Sequence, residues 1–109
     1  MSQVSPFLRE HTRGYSYYCP GCKRMHSINT KGGPGPSWSF DGNVNRPTFG
    51  PSVRHFYPAQ PAEPGFEAEP EKTFCHYFIK KGIFEYCGDC LHDLKGKHVP
   101  MRPIPEDEI

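Results

Sequence analysis

The spacing of the cysteines constrains the fold of this chain more than any other feature of its sequence. Four of the five cysteines form two C-x-x-C pairs, Cys19 with Cys22 and Cys87 with Cys90, and the fifth is Cys75. An odd number argues against a closed disulfide framework, whereas a C-x-x-C turn brings two thiolates to one tetrahedral zinc ion. A redox pair needs a strand-to-helix context that the first pair does not clearly have, and unligated thiols are the remaining alternative. The spacing therefore predicts structural zinc.

The composition explains why such a chain needs a metal. Of 109 residues, 35% are hydrophobic, 13 are proline and 11 are glycine. A domain of this kind buries little apolar surface and usually needs a disulfide or metal to be stable. The net charge of +1 disfavours a general nucleic-acid-binding protein, and no apolar run is long enough for a transmembrane helix or signal peptide. We expect one cytoplasmic domain over residues 1–109, with zinc as cofactor and no membrane partner.

The alternation of apolar and polar residues predicts a small, mainly β fold. Short strand-like segments are separated by turn signals, and Lys81-Gly82 between two of them is typical of a β-hairpin. We expect a β-rich α+β domain of antiparallel hairpins, with an ordered core at about residues 4–101 and one helical turn at residues 90–95. We also expect residues 58–72, rich in proline and glutamate, to form a mobile insertion, and the acidic tail 103–109 to be frayed.

The predicted hairpin assigns its side chains to two faces of a sheet. A two-residue turn puts His76 opposite Cys87, with Asp89 as a diagonal neighbour on the same face, within reach of a hydrogen bond. Cys75 and Cys90 are diagonal neighbours on the opposite face. A three-residue bulged loop would exchange the two faces.

Five sequence blocks in a fixed order carry a resemblance to a known family. The blocks are Tyr18-Cys-Pro-Gly-Cys22 with His26, Trp38-Ser-Phe40 with Gly42-Asn43, Pro47-Thr-Phe-Gly-Pro-Ser52, Cys75-His-Tyr-Phe-Ile79, and Asp89-Cys-Leu-His92 running on to Met101. Over roughly residues 15–101, the chain resembles a family of short phage- and bacterium-encoded proteins that includes the BubE peptidases of bacterial ubiquitin-like conjugation operons. The resemblance implies a proteolytic role on a ubiquitin-like protein, in C-terminal processing or deconjugation.

The resemblance also implies roles for individual residues. The serine, histidine and aspartate blocks follow one chain order of a hydrolase triad, with Ser52 as nucleophile, His76 as base and Asp89 as the residue that orients the base. His92 is a further catalytic candidate, because it could orient the base or bind a metal.

The zinc ligands expected from this pattern differ from two complete C-x-x-C pairs. Cys87 stands where the family usually has an apolar residue, which favours Cys75 with Cys90 as the second ligand pair. The expected metal ligands are Cys19, Cys22, Cys75 and Cys90. His26 is the chief rival for a ligand position, because it follows Cys22 by four residues.

Other functions remain open on the sequence. A catalytic zinc held by His76, His92 and Asp89 would make the chain a metallopeptidase that uses a metal-bound water. A zinc-ribbon module without catalysis would bind protein or nucleic acid through aromatic and basic residues near the first cysteine turn, although the scattered basic residues disfavour nucleic acid. A phage structural protein is a third alternative. The resemblance favours a serine-type peptidase with structural zinc and a ubiquitin-like protein as its partner.

Overall fold

The computed structural model describes residues 2–33 and 35–108, which form two antiparallel β-sheets. The first sheet has the strand order β1-β2-β3-β4, with bounds Ser2–Gln3, Arg9–His11, Gly14–Cys19 and Arg24–Asn29. The second has the order β5-β6-β7-β8-β9, with bounds Ser39–Phe40, Phe49–Tyr57, Lys72–Lys80, Ile83–Tyr86 and His98–Pro100. Within the described residues, the helical structure is a 3₁₀ turn at Glu106–Glu108. The predicted small, mostly β fold is confirmed.

The two sheets pack together around Tyr17 of β3, which is fully buried. Its ring packs against Phe49, Tyr77 and Phe84 of the second sheet, at centroid distances of 6.0, 6.2 and 5.9 Å. Its hydroxyl lies 2.7 Å from the hydroxyl of Tyr77. Each hydroxyl therefore has a partner, which avoids the cost of about 1–3 kcal/mol for an unpaired buried polar group. The core between the sheets is accordingly aromatic.

The β7–β8 hairpin has the register that its turn residues predict. Lys80 pairs with Ile83, and Lys81 and Gly82 have positive φ angles of 50° and 76°. Two consecutive positive φ angles define a type I′ turn, whose twist matches that of the flanking strands. The two-residue turn is thus confirmed, and with it the assignment of residues to the two faces of the hairpin.

The two faces of the second sheet differ in exposure. The inner face, which packs on the first sheet, carries Cys75, Tyr77 and Ile79 of β7, all fully buried. The outer face carries the alternate residue His76 of β7 and, from β6, Ser52, which it contacts. The register between β6 and β7 shifts just before Val53, and a bulge of this kind re-aims neighbouring side chains. Ser52 therefore lies at an irregular point of an otherwise regular sheet.

Residues 58–72 extend β6 and β7 beyond the core as a two-stranded arm. Gln60 pairs with Glu69 and Glu63 with Phe66, and two backbone hydrogen bonds of 2.9–3.1 Å join each pair. All side chains of the arm are exposed. The insertion thus has strand pairing of its own, and its mobility stays a prediction.

The segment after β8 forms turns, and the helical turn expected at residues 90–95 is not found there. The N–H of Leu91 donates to the carbonyl of Phe74 at 3.1 Å, and the N–H groups of Lys95 and Lys97 close separate turns on the carbonyls of His92 and Leu94 at 3.3 and 3.0 Å. In the tail 103–109, Ile104 is buried and its N–H donates to the carbonyl of Pro6 at 2.9 Å. Ile109 lies outside the described residues. No helix in the described part of the chain is long and apolar enough to cross a membrane.

Candidate functional site

Three polar side chains meet on the outer face of the second sheet. Nε2 of His76 lies 3.1 Å from Oγ of Ser52. Nδ1 of the same ring lies 3.2 and 3.3 Å from the two carboxylate oxygens of Asp89. With the ring proton on Nδ1, His76 donates to Asp89, and its Nε2 accepts a hydrogen bond from the Ser52 hydroxyl. The geometry is that of a relay in which a carboxylate orients an imidazole and the imidazole faces a hydroxyl.

Neighbouring groups hold the backbone of this relay in place. The N–H of His76 donates to Sγ of Cys90 at 3.2 Å. The carbonyl of His76 accepts from the Cys90 thiol at 3.0 Å and from the N–H of Cys87 at 2.9 Å. The indole N–H of Trp38 donates to the carbonyl of Ser52 at 3.0 Å. Ser52 and His76 are therefore both positioned by bonds to their main chain, which leaves their side chains free to react.

The relay is accessible from solvent. The side chain of His76 is 25% exposed and that of Asp89 is 50% exposed. An ion pair at such an exposed position stabilises the fold by at most about 1 kcal/mol. The contact between the two residues therefore matters for orienting the imidazole more than for stability.

A second cluster lies on the inner face, between the two sheets. One ligand atom from each of Cys19, Cys22, Cys75 and His92 lies within 4.8 Å of the others. The Sγ atoms of Cys19 and Cys75 are 3.9 Å apart, and Sγ of Cys75 is 3.4 Å from Nε2 of His92. Around tetrahedral zinc, with Zn–S of about 2.3 Å and Zn–N of about 2.1 Å, these separations become about 3.8 and 3.6 Å. The four residues fit a closed zinc site.

Two cysteines of this cluster have pKa values shifted in opposite directions. A hydrogen bond from the Cys75 thiol, followed by contacts with His26 and Tyr86, lowers the pKa of Cys19 to about 3. Burial and the neighbouring Cys19 thiolate raise the pKa of Cys22 to about 11. The thiolate is the form of cysteine that binds metals. The lowered pKa favours the thiolate form of Cys19, and a bound cation would displace the protons of the Cys22 and Cys75 thiols.

Tyr86 and Gly21 contact two residues of the cluster, Cys19 and His92. The hydroxyl of Tyr86 lies 3.2 Å from Sγ of Cys19 and accepts the N–H of Gly21 at 3.3 Å. The ring of Tyr86 meets the imidazole of His92 edge-on, at a centroid distance of 4.6 Å. A Cβ atom at Gly21 would lie 2.3–2.6 Å from three atoms of that imidazole. Only glycine at this position lets the His92 ring lie against the first cysteine turn.

Two residues expected as ligands lie outside this cluster. Sγ of Cys90 bonds to the backbone of His76, and among the described residues His92 completes the group in its place. The strand alternation that predicted Cys75 and Cys90 as neighbours on one face does not extend to Cys90, because β8 ends at Tyr86 and the chain turns. His26, the rival ligand, stacks on His55 at a centroid distance of 3.8 Å.

The structure also separates His92 from the residues with which it was expected to act. His92 lies with the inner-face cysteines, whereas His76 and Asp89 meet on the outer face. A catalytic zinc held by these three residues would need their ligand atoms in one place. The observed geometry does not bring them together.

Three residues that contact members of the two sites were not predicted from the sequence. The hairpin register places Tyr86 on the face of Cys75, so a signal for its contact with the cysteines was present. Gly21 belongs to the first C-x-x-C turn, but its closeness to His92 depends on two segments far apart in the chain. Nothing in the position of Trp38 predicts its hydrogen bond to the carbonyl of Ser52.

Comparison with known proteins identifies one family. Residues 3–87 match the family described as "Bacterial ubiquitination-like system serine protease (BubE)". Ser52 and His76 lie within the matched range, and Asp89 and His92 follow it. Comparisons with curated protein sequences and with solved structures gave no significant match. Because the match covers well over half of the chain, this protein belongs to the BubE family of bacterial ubiquitination-like system serine proteases.

Proposed function

We propose that this chain is a serine-type peptidase in which Ser52 is the nucleophile, His76 the general base and Asp89 the residue that orients the imidazole. The position of the His76 ring, 3.1 Å from Ser52 and 3.2 Å from Asp89, carries this assignment. A serine hydroxyl is a weak nucleophile until a base takes its proton, and the base must be held in the correct tautomer. The description of the family as a serine protease supports the same chemistry.

The reaction begins when Nε2 of His76 takes the proton of the Ser52 hydroxyl as Oγ attacks the scissile carbonyl. The protonated imidazole then gives that proton to the departing amine, which leaves an acyl group on Ser52. A water molecule, deprotonated by the same imidazole, hydrolyses the ester and restores the serine. Asp89 stays ionised throughout and stabilises the positive charge that forms on His76.

The zinc in this proposal is structural and is bound by Cys19, Cys22, Cys75 and His92. Four protein ligands leave no coordination position for a water, so the ion supplies a cross-link and no chemistry. Held there, it would join the first cysteine turn to β7 and to the segment after β8. In a domain with so small a core, such a cross-link contributes directly to folding.

The substrate we propose is a ubiquitin-like protein, cleaved at its C-terminus from a precursor or released from a conjugate. The family description places its members in a ubiquitination-like system. The relay lies on an open sheet face, with His76 partly exposed and Asp89 half exposed. A protein chain can approach such a face without entering a cavity.

Cleavage of a C-terminally extended ubiquitin-like protein by purified variants tests the mechanism. Ser52→Ala and His76→Ala should each lower the rate by about 10³-fold or more, and the double variant should be no slower than either, because triad members act as a unit. Ser39→Ala is the matched control, because this exposed serine on β5 bonds only to the carbonyl of Gly50 among the described residues. Zinc content and melting temperature should stay close to those of the parent in all four variants.

Covalent labelling tests the nucleophile without a substrate. A phosphonate that reacts with activated serines should label Ser52 in the parent and fail to label His76→Ala. Parental activity in Ser52→Ala would rule out the serine mechanism. If the parent cleaves no ubiquitin-like precursor, the non-catalytic zinc-ribbon module becomes the better interpretation.

A further inference from the structure

Cys87 has no place in the proposed mechanism or in the inner-face cluster. Cys87 lies on the outer face, and among the described residues its thiol belongs to a group with His76 and Asp89, whose ligand atoms all lie within 4.8 Å of one another. A sulfur, an imidazole nitrogen and a carboxylate oxygen are the three ligand types that zinc takes in proteins. The group therefore has the donor set of a second metal site.

The hairpin geometry explains why these three side chains meet. The N–H of Cys87 donates to the carbonyl of His76 at 2.9 Å, which continues the pairing of Tyr77 with Tyr86 by one further residue. Directly paired residues point to the same face of a sheet. Asp89 follows two residues later and reaches Nδ1 of His76 at 3.2 Å.

We propose that His76, Cys87 and Asp89 form a second, exchangeable Zn²⁺ site whose occupancy switches the peptidase off. This inference rests on the proposed function, because two of the three ligands belong to the relay. The inner-face cluster offers four ligands with Cys19 and Cys75 fully buried, whereas Asp89 is half exposed. Three partly exposed ligands leave the fourth position to water, so the ion exchanges with solution.

Metal binding and proton transfer compete for the same imidazole ring. Nδ1 is the ring nitrogen of His76 that faces Asp89. A neutral imidazole that binds a metal through Nδ1 carries its proton on Nε2. Nε2 is the atom that must accept the proton of Ser52, from which it lies 3.1 Å. The Zn²⁺ form therefore lacks both the base and the oriented carboxylate.

Inhibition of cleavage by added Zn²⁺ tests this site. The protein is first shown to retain its tightly bound zinc, and the rate is then measured over a range of Zn²⁺ concentrations. Cys87→Ala should need a Zn²⁺ concentration higher by at least about tenfold for half inhibition, because one of three ligands is lost. Each variant is compared with its own rate without added Zn²⁺, so a change in its intrinsic rate cancels. His98→Ala, which removes an exposed imidazole on β9, should be inhibited like the parent.

A binding measurement separates failure of this site from failure of the proposed function. The Ser52→Ala variant, with its tightly bound zinc retained, is titrated with Zn²⁺ in a calorimeter. It should bind one further, weaker equivalent of Zn²⁺. The double variant Ser52→Ala/Cys87→Ala should not bind this further equivalent. This result needs no substrate and would stand even if the parent cleaved none. Equal Zn²⁺ binding with and without Cys87, or equal inhibition of the parent and Cys87→Ala, would overturn the site.

Discussion

Cys75 and His76 are consecutive residues of β7, and their side chains lie on opposite faces of the second sheet. Cys75 is fully buried beside Cys19, whereas His76 faces Ser52 on the outer face. Because side chains alternate along a strand, one short segment supplies both the inner-face cluster and the relay. A metal that holds Cys75 also holds the backbone from which the imidazole of His76 extends. We therefore expect metal loss to affect activity as well as stability.

Metal analysis should find about one tightly bound zinc per chain after dialysis against a weak chelator, since a closed site binds far more strongly than an open one. Cys22→Ser should lose this zinc and unfold at a lower temperature. Cys87→Ser is the matched control and should keep the tight zinc, because Cys87 lies outside the inner-face cluster. Full thermal stability of the parent in a strong chelator would contradict a structural role for the metal.

The close approach of Gly21 to His92 predicts the effect of a single methyl group. In Gly21→Ala, the new Cβ would lie 2.3–2.6 Å from the imidazole of His92, so the ring must move away from the cysteines. We expect a lower zinc affinity, measured by competition with a chromophoric chelator. Gly88→Ala is the control, because a Cβ at this glycine of the second C-x-x-C meets nothing within 4 Å. Equal affinity in both variants would remove His92 from the ligand set.

Because the carboxylate of Asp89 contacts Nδ1 of His76, replacing it with a neutral group should slow the enzyme. Asp89→Asn should lower the rate of cleavage by roughly 10²–10⁴-fold, because an amide can favour the wrong imidazole tautomer. Its zinc content and melting temperature should match the parent, since the exposed pair contributes little stability. Asp93→Asn, an exposed residue of the following turn, should cleave at the parental rate. A parental rate in Asp89→Asn would exclude Asp89 as the orienting residue.

The parts of the structure that were predicted correctly depend on local chemistry. The turn at Lys81-Gly82 needs two positive φ angles, which a lysine-glycine pair can supply between strand-like segments. Once that turn is known, strict alternation places Cys75 and His76 on opposite faces. The closeness of His76 to Asp89 follows from the same register.

The parts that were not predicted depend on contacts between distant segments. His92 contacts Cys75 from the segment that follows β8. The alternation of side chains ends with the strand, so it does not predict where His92 lies. The meeting of Cys19 with Cys75 was expected from the ligand pattern, but no hairpin register specifies the packing of the two sheets that brings them together. Ser52 owes its position to an irregularity in β6, and such bulges have no reliable sequence signature.

The arm at residues 58–72 should contribute little to stability, because every one of its side chains is exposed. Replacing Gln60–Glu69 by a short Gly/Ser linker removes both isolated bridges but keeps the ion pair of Arg54 with Glu71 at the root of the arm. Loop-closure entropy changes by only about 0.6 kcal/mol for each doubling of length. The melting temperature should therefore stay within a few degrees of the parent, as calorimetry can measure. A large drop would mean that the arm packs on the domain.

The half-buried imidazole of His55 predicts how stability depends on pH. Burial, followed by the stacked ring of His26, lowers the pKa of His55 from 6.5 to about 4. Above pH 6.5 the ring is neutral in both the folded and the unfolded state. Between about pH 6.5 and 4, the unfolded chain binds a proton that the folded chain does not, so the free energy of unfolding falls as the pH falls.

Urea unfolding from pH 7 to pH 5 should show this dependence directly. His55→Gln keeps a polar partner for the hydroxyl of Tyr77, which lies 2.9 Å from Nε2 of His55, and removes the titrating ring. Its free energy of unfolding should fall less steeply with decreasing pH than that of the parent. Acid release of zinc acts on both proteins, so the difference between the two slopes reports His55 alone. His98→Gln, which removes an exposed imidazole, should keep the parental slope. If His55→Gln and the parent have the same slope, the folded chain protonates His55 as readily as the unfolded chain does.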